Sequence, residues 1–480
     1  MVYVFLGVIA CAPPKKSKTT PASTTEAPEI LEVQTFKKDV DVLGEQLIQD
    51  GWMTSLSIGL IHPGGIEYYN YGVLNKDTKM APTKESIYEI GSVSKVFTCL
   101  LLAEKVQKEE IALDAPIQDW ALQDWLLPFV DETYISAKHL CTHSSGLPRL
   151  PSNFTPSNFN NPYAEYTVDM LKGSLGTTKL AAKPGTKVEY SNLGLGLLGY
   201  ALTQHTQKSY EVSLQETITG PMKMKHTTVD VVPANQNLVA QGYGMAGEAV
   251  SDWDMPTLIG MGEINSTTED MLTFLSMQLS PPDTVLGKAI QSTQKTQMNR
   301  RDGFLGLGWH IGLQDEAEII WHNGGTGGSR SFVAFDPKRQ IGLVVLNTGA
   351  TPFADPLGVS LYKMLRGTAY QLDIPKILSL SPETLQEYAG EYVLSPEVVL
   401  QLSPNANHLL INIAGQPPFP VYPTSKEMFV SIHAPLRFEF QRNNDGNIDQ
   451  LFMLQGENRI PGPKKQPEPE NTEIKNPETE

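Results

Sequence analysis

The chain has 480 residues, 40% of them hydrophobic, and its 37 Lys+Arg against 53 Asp+Glu give a net charge of -16. That balance argues against a nucleic-acid binder, which needs a basic face for phosphates, and the apolar content excludes global disorder. The 3 cysteines are too few for a disulfide framework or a Cys-rich zinc module, and no apolar run reaches the ~18 residues that would span a bilayer.

In chain order, residues 1–11 read MVYVFLGVIAC, an apolar run ending in a cysteine. Val8-Ile9-Ala10-Cys11 resembles a bacterial lipobox, although no Lys or Arg precedes it. The resemblance implies a lipoprotein signal peptide over 1–11, acylation of Cys11, and a membrane-anchored protein of the cell envelope facing the periplasm. Residues 12–35 are rich in Pro, Thr, Ser and Lys and are expected to form a flexible linker. Phe36, Val40, Leu43 and Leu47 then recur at helical spacing. Leu56–Ile61 and Ile66–Gly72 flank a Pro-Gly-Gly turn and predict a hairpin. A second hairpin is predicted over Ser331–Phe335 and Ile341–Leu346, with mostly helical sequence between the two hairpins and another helix near 356–366.

The order helix, hairpin, helical insert, strands, helix predicts an α+β domain over 36–370: an antiparallel sheet flanked by helices, with an inserted helical subdomain. Short strands with close turns then predict a small all-β C-terminal domain over 376–460. The Pro/Glu-rich residues 461–480 are expected to be a disordered tail.

Three short motifs could carry chemistry. Ser92-Val93-Ser94-Lys95 opens an apolar helix, and i, i+3 spacing puts the Lys95 amine near the Ser92 hydroxyl. Tyr190-Ser191-Asn192 offers a phenol, which a neighbouring lysine could favour as phenolate, and an amide able to meet a substrate carbonyl. His322-Asn323-Gly324-Gly325 ends a strand, where glycine lets a substrate lie against the edge and the Gly325 N–H could face an oxyanion beside the Ser92 N–H.

Together, in this order, the motifs resemble the penicillin-recognising serine hydrolases: class C β-lactamases, serine DD-carboxypeptidases and related esterases. The stretch His139-Leu140-Cys141-Thr142-His143-Ser144-Ser145-Gly146-Leu147-Pro148 and Asn161-Pro162-Tyr163 support the resemblance, which covers roughly 36–370. It implies a β-lactamase/transpeptidase-like fold without a cofactor or metal. It also implies Ser92 as the acylated nucleophile, Lys95 and Tyr190 as base and proton shuttle, and Asn192 as orienter of the substrate amide. His322 stands where many relatives have lysine, and Ser92, Gly324 and Gly325 would form the oxyanion site. The implied substrates are β-lactams or D-Ala-D-Ala-type, peptidoglycan-derived peptides. The alternatives are an esterase or D-amino-acid amidase on the same scaffold and, from another class, a penicillin-binding sensor or non-catalytic binding protein. Because neutral His322 replaces a fixed charge, Arg330 is a possible substitute, weighed against a solvated strand residue.

Other patterns carry less. Gly194-Leu195-Gly196-Leu197-Leu198-Gly199 fits G-x-G-x-x-G but has neither the preceding buried strand nor the later acid of a dinucleotide site, so the glycines are expected to serve close helix packing. His139 and His143 have no third metal ligand and are expected at a structural helix end. Cys99 and Cys141 are expected as buried small hydrophobes, and His310 has no assigned role.

Overall fold

The computed structural model describes residues 33–465 except 245–246, 301, 314–315, 350, 369, 371, 373, 406–407, 415–417, 432–435 and 457. Cys11 and most of the expected linker therefore lie outside the described residues. The rest divides into two compact units, the chain passing from one to the other between Ile374 and Pro375.

In the larger unit, a helix over Val33–Gln49 buries Phe36, Val40, Leu43 and Leu47, so helix begins before the expected boundary at 36. The predicted hairpin is β1 (Ser55–His62) and β2 (Gly65–Gly72), paired from Ser55↔Gly72 to His62↔Gly65. Two short strands, β3 (Tyr88–Glu89) and β4 (Asn265–Ser266), pair with each other. The remaining strands are β5 (Met298–Arg300), β6 (Gly303–Leu305), β7 (His310–Leu313), β8 (Glu316–Gly325), β9 (Ser329–Asp336) and β10 (Ile341–Thr348). The sheet runs β2-β1-β10-β9-β8-β7-β6-β5, with every neighbour antiparallel. The N-terminal hairpin thus joins the last strand, and the helical insert closes between them. Strands β5–β7 are too short to register as alternation in the sequence.

Every residue of β10 is buried, as expected for a strand covered on both faces. On one face Phe332 packs against Gly358 of the helix Ala354–Leu365. On the other, Val333, Phe335, Val344 and Leu346 join Phe97 and Phe274 in the main core, whose rings stack at 4.4 Å. The glycine-rich motif falls inside the helix Asn192–Thr206. A Cβ at Gly196 would lie 2.6 Å from Leu258 Cδ2, and one at Gly199 would lie 2.6 Å from Gly260 Cα. The glycines let this helix press onto the turn Ile259–Met261, as expected.

The smaller unit holds a short helix, Pro382–Glu387, and an eight-stranded antiparallel meander: β11 (Gly390–Ser395), β12 (Val398–Asn405), β13 (His408–Asn412), β14 (Phe419–Pro423), β15 (Met428–Ser431), β16 (Leu436–Arg442), β17 (Ile448–Gln455) and β18 (Asn458–Pro463). A bridge between Tyr392 and Lys464 brings the first strand to the end of the last, so the sheet is a near-barrel. Order thus continues past the expected tail boundary at 461, with Lys464 and Lys465 N–H groups donating to Asp449 and Glu391 carbonyls. Residues 466–480 lie outside the described residues.

One expectation is overturned. Cys99 and Cys141 are buried, but they are joined in a disulfide with Cα atoms 5.9 Å apart. Their separation of 42 residues hid the pairing, since spacing in sequence says nothing of spatial approach.

Candidate active site

Ser92 lies in a single 3₁₀ turn, Gly91–Val93, that runs directly into the buried helix Ser94–Gln107. Gly91 has φ +51, and a Cβ there would lie 2.6 Å from the Gly325 nitrogen. A Cβ at Gly324 would collide with the Ile90 carbonyl and lie 3.0 Å from Ser92 N. Both glycines are needed for the end of β8 to lie backbone-to-backbone against the Ser92 turn. That approach brings the backbone at Gly324 and Gly325 close to the backbone at Gly91 and Ser92.

Lys95 is 1% exposed. Its Nζ lies 2.9 Å from Ser92 Oγ and donates to the Met261 carbonyl at 2.5 Å. Burial, assisted by the Arg149 guanidinium, holds the amine well below the ordinary lysine range. Tyr190 precedes the helix Asn192–Thr206, which Ser191 caps: its Oγ accepts from Gly194 N at 2.9 Å and donates to Pro148 O at 2.7 Å. Burial pushes the Tyr190 phenol up to about 12, against lowering by a hydrogen bond with Ser92 and by Arg149. The phenolate expected from the sequence is thus disfavoured, because desolvation outweighs the neighbouring charges. Asn192 Oδ1 is buried without a hydrogen-bond partner among the described residues.

His322 is 1% exposed on β8, and its Nδ1 lies 2.6 Å from the Asn323 carbonyl. That contact assigns the proton to Nδ1 and leaves Nε2 as an acceptor; Nε2 is buried without a partner among the described residues. Burial and the Lys95 amine lower the imidazole to about 3, so at neutral pH it carries no charge. Arg330 lies half-buried on β9, and its Nη1 donates to the Thr326 and Ser329 carbonyls at 2.7 and 2.8 Å, fastening the turn after β8.

Several neighbours were given no catalytic or binding role by the sequence. His143, with φ +52, leaves its helix end and lies against Tyr190, ring centroids 4.3 Å apart and planes tilted by 34°. Its Nδ1 accepts from Ser191 N at 3.2 Å. His310 stacks on His322 at 4.9 Å and contacts Arg300 through Nδ1. Glu89 is buried, accepting from Trp253 N at 2.9 Å and from the Thr326 hydroxyl at 2.6 Å. Burial raises its carboxyl to about 7. A carboxylate inside the apolar run Ile87-Tyr88-Glu89-Ile90 was the available signal, since such groups are seldom buried without a task. Asn161 and Asp254 exchange two hydrogen bonds, and Tyr163 meets Trp253 edge-on at 5.4 Å. The two loops beside the site are thereby joined. Among the described residues, no group of three or more His, Cys, Asp or Glu side chains is placed to hold a metal ion.

Known proteins resemble this chain in sequence and in fold. A β-lactamase of Pseudomonas fluorescens is 28% identical over 357 residues, 67% of this chain and 95% of that protein. A D-alanyl-D-alanine-carboxypeptidase/endopeptidase, AmpH, of Escherichia coli is 26% identical over 344 residues, 68% of this chain and 87% of that protein. The crystal structure of a β-lactamase/D-alanine carboxypeptidase from Pseudomonas syringae shares the fold, with TM-score 0.61 at 21% identity, covering 70% of this chain and 100% of that one. The Beta-lactamase family model matches residues 39–361, and the chain belongs to the Beta-lactamase family of serine hydrolases.

Proposed function

We propose that this enzyme forms an acyl-enzyme on Ser92 and acts on β-lactams or D-Ala-D-Ala-type peptides. The observation that carries the reading is the buried Lys95 amine, 2.9 Å from Ser92 Oγ and biased towards its neutral form. A neutral amine accepts the serine proton as Oγ bonds to the substrate carbonyl carbon. The oxyanion that forms faces the adjacent N–H groups of Ser92 and Gly325. Tyr190 gives its phenol proton to the leaving nitrogen and is reprotonated from Lys95. Water then attacks the ester, loses a proton to the same relay and releases Ser92. Asn192 Oδ1, lacking a protein partner, is free to accept from a substrate amide N–H.

A second reading, esterase or amidase, draws support from His322: its neutral ring supplies no cation where many relatives carry lysine. The Cys99–Cys141 disulfide supports residence in an oxidising, exported compartment.

Intact-protein mass spectrometry with benzylpenicillin tests the proposal. A mass increase of one penicillin, mapped to Ser92 and lost in Ser92→Ala, is expected, either persistent or transient. Ester hydrolysis without any penicillin adduct would favour the second reading, and full activity in Ser92→Ala would refute both.

A further inference from the structure

We propose that Arg149 is the cation that anchors the anionic group of the substrate. The inference rests on the acyl-enzyme reading above and names the substrate class it takes: amides whose leaving nitrogen bears a carboxylate on the adjacent carbon.

The other cations around Ser92 are committed. Lys95 is buried and held between Ser92 Oγ and the Met261 carbonyl. Arg330 is turned onto two carbonyls of its own turn. Arg300 grips Asp302 through two parallel bonds of 2.5 and 2.6 Å. His322 is a buried acceptor.

Arg149 differs on each point. It is exposed, and no carboxylate lies within ion-pair distance of it among the described residues, in a chain of net charge -16. Its guanidinium carbon sits 5.1 Å from the Tyr190 ring centroid, and Lys95 Nζ lies at the same distance from that ring. A stacked guanidinium keeps its in-plane N–H groups free for a carboxylate. The root of the side chain is fixed: the Arg149 carbonyl accepts from Asn192 N and Leu193 N at 3.0 and 3.1 Å, and the preceding Pro148 carbonyl accepts from Ser191 Oγ at 2.7 Å. Arg149 is therefore built onto the segment that carries the proton donor Tyr190.

The chemistry of the leaving group supplies the other half. In a penicillin, and in a peptide ending in D-Ala-D-Ala, the carboxylate is on the carbon bonded to the leaving nitrogen. A nitrogen close enough to take the Tyr190 proton brings that carboxylate to the Tyr190 wall, where Arg149 stands, and away from any need for charge at His322.

The test compares benzylpenicillin with its neutral methyl ester, reading the second-order rate of Ser92 acylation in the full chain. The wild type is expected to favour the acid, and Arg149→Gln is expected to lower the acid-to-ester preference at least ~10-fold, the worth of a charge-assisted contact. Arg149→Lys should restore part of it, and added salt should erode the wild-type preference. An unchanged ratio in a folded Arg149→Gln protein, or a wild type indifferent to the ester, overturns the inference while leaving acylation of Ser92 intact. Absence of acylation by both compounds overturns the acyl-enzyme reading and this inference with it.

Discussion

The Lys95 amine donates to the Met261 carbonyl at 2.5 Å. That carbonyl belongs to the Ile259–Met261 turn, pressed into place by the Gly196 and Gly199 face of the helix beginning at Asn192. The same turn supplies the Gly260 carbonyl to the Thr98 hydroxyl at 2.7 Å. The helix that follows Tyr190 thus positions the amine that faces Ser92, through a backbone carbonyl that cannot reorient as water would.

A base held this way sets a pH dependence. Burial lowers the Lys95 pKa in the folded protein, so the amine is active above that value, and the rate falls as pH drops through it. His322, lowered to about 3, adds no inflection near the ordinary histidine pKa of ~6.5. Lys95→Met should reduce kcat at least ~100-fold. It should also leave the thermal midpoint equal or higher at pH 7, because it removes a group whose protonated form the fold disfavours. Retained kcat, or a clear loss of stability at pH 7, would count against the buried-base assignment.

Glu89 offers a stability prediction of definite sign. Its carboxyl rises from the ordinary 4.5 to about 7 on burial, so the folded state holds a proton that the unfolded state releases. Between those pH values the wild type loses stability as pH rises, by on the order of 3 kcal/mol for the full shift. Glu89→Gln can still accept from Trp253 N and meet the Thr326 hydroxyl, and it does not titrate. Urea midpoints at pH 4.5 and pH 8 should show the variant gaining on the wild type at the higher pH; parallel curves would show that Glu89 does not titrate in this range.

The Cys99–Cys141 disulfide ties the helix bearing Lys95 to the segment leading into His143 and Arg149. Closing a loop of 42 residues is worth about 4 kcal/mol in the chain-entropy treatment. Reductant, or the double substitution Cys99→Ala/Cys141→Ala, should lower the urea midpoint accordingly. Alkylation in denaturant should modify these two cysteines only after reduction. A midpoint indifferent to reductant would show that the bridge contributes nothing.

The sequence by itself determined the family and nominated the candidate chemical groups. Ser92-x-x-Lys95, Tyr190-x-Asn192 and His322-x-Gly324 are local patterns, each at the boundary of an element that apolar periodicity reveals, and both hairpins of the main sheet are written as short apolar runs around turn residues. The all-β character of the C-terminal segment was legible for the same reason, since strand and turn signals act over a few residues. Only the tertiary structure decided the rest. The state of Lys95, Tyr190 and His322 depends on burial and on neighbours brought together from separate parts of the chain. The Cys99–Cys141 pairing and the contact of His143 with Tyr190 depend on where separate elements meet. Protonation and charge pairing are set by through-space neighbours and by exclusion of water, and no local pattern encodes either.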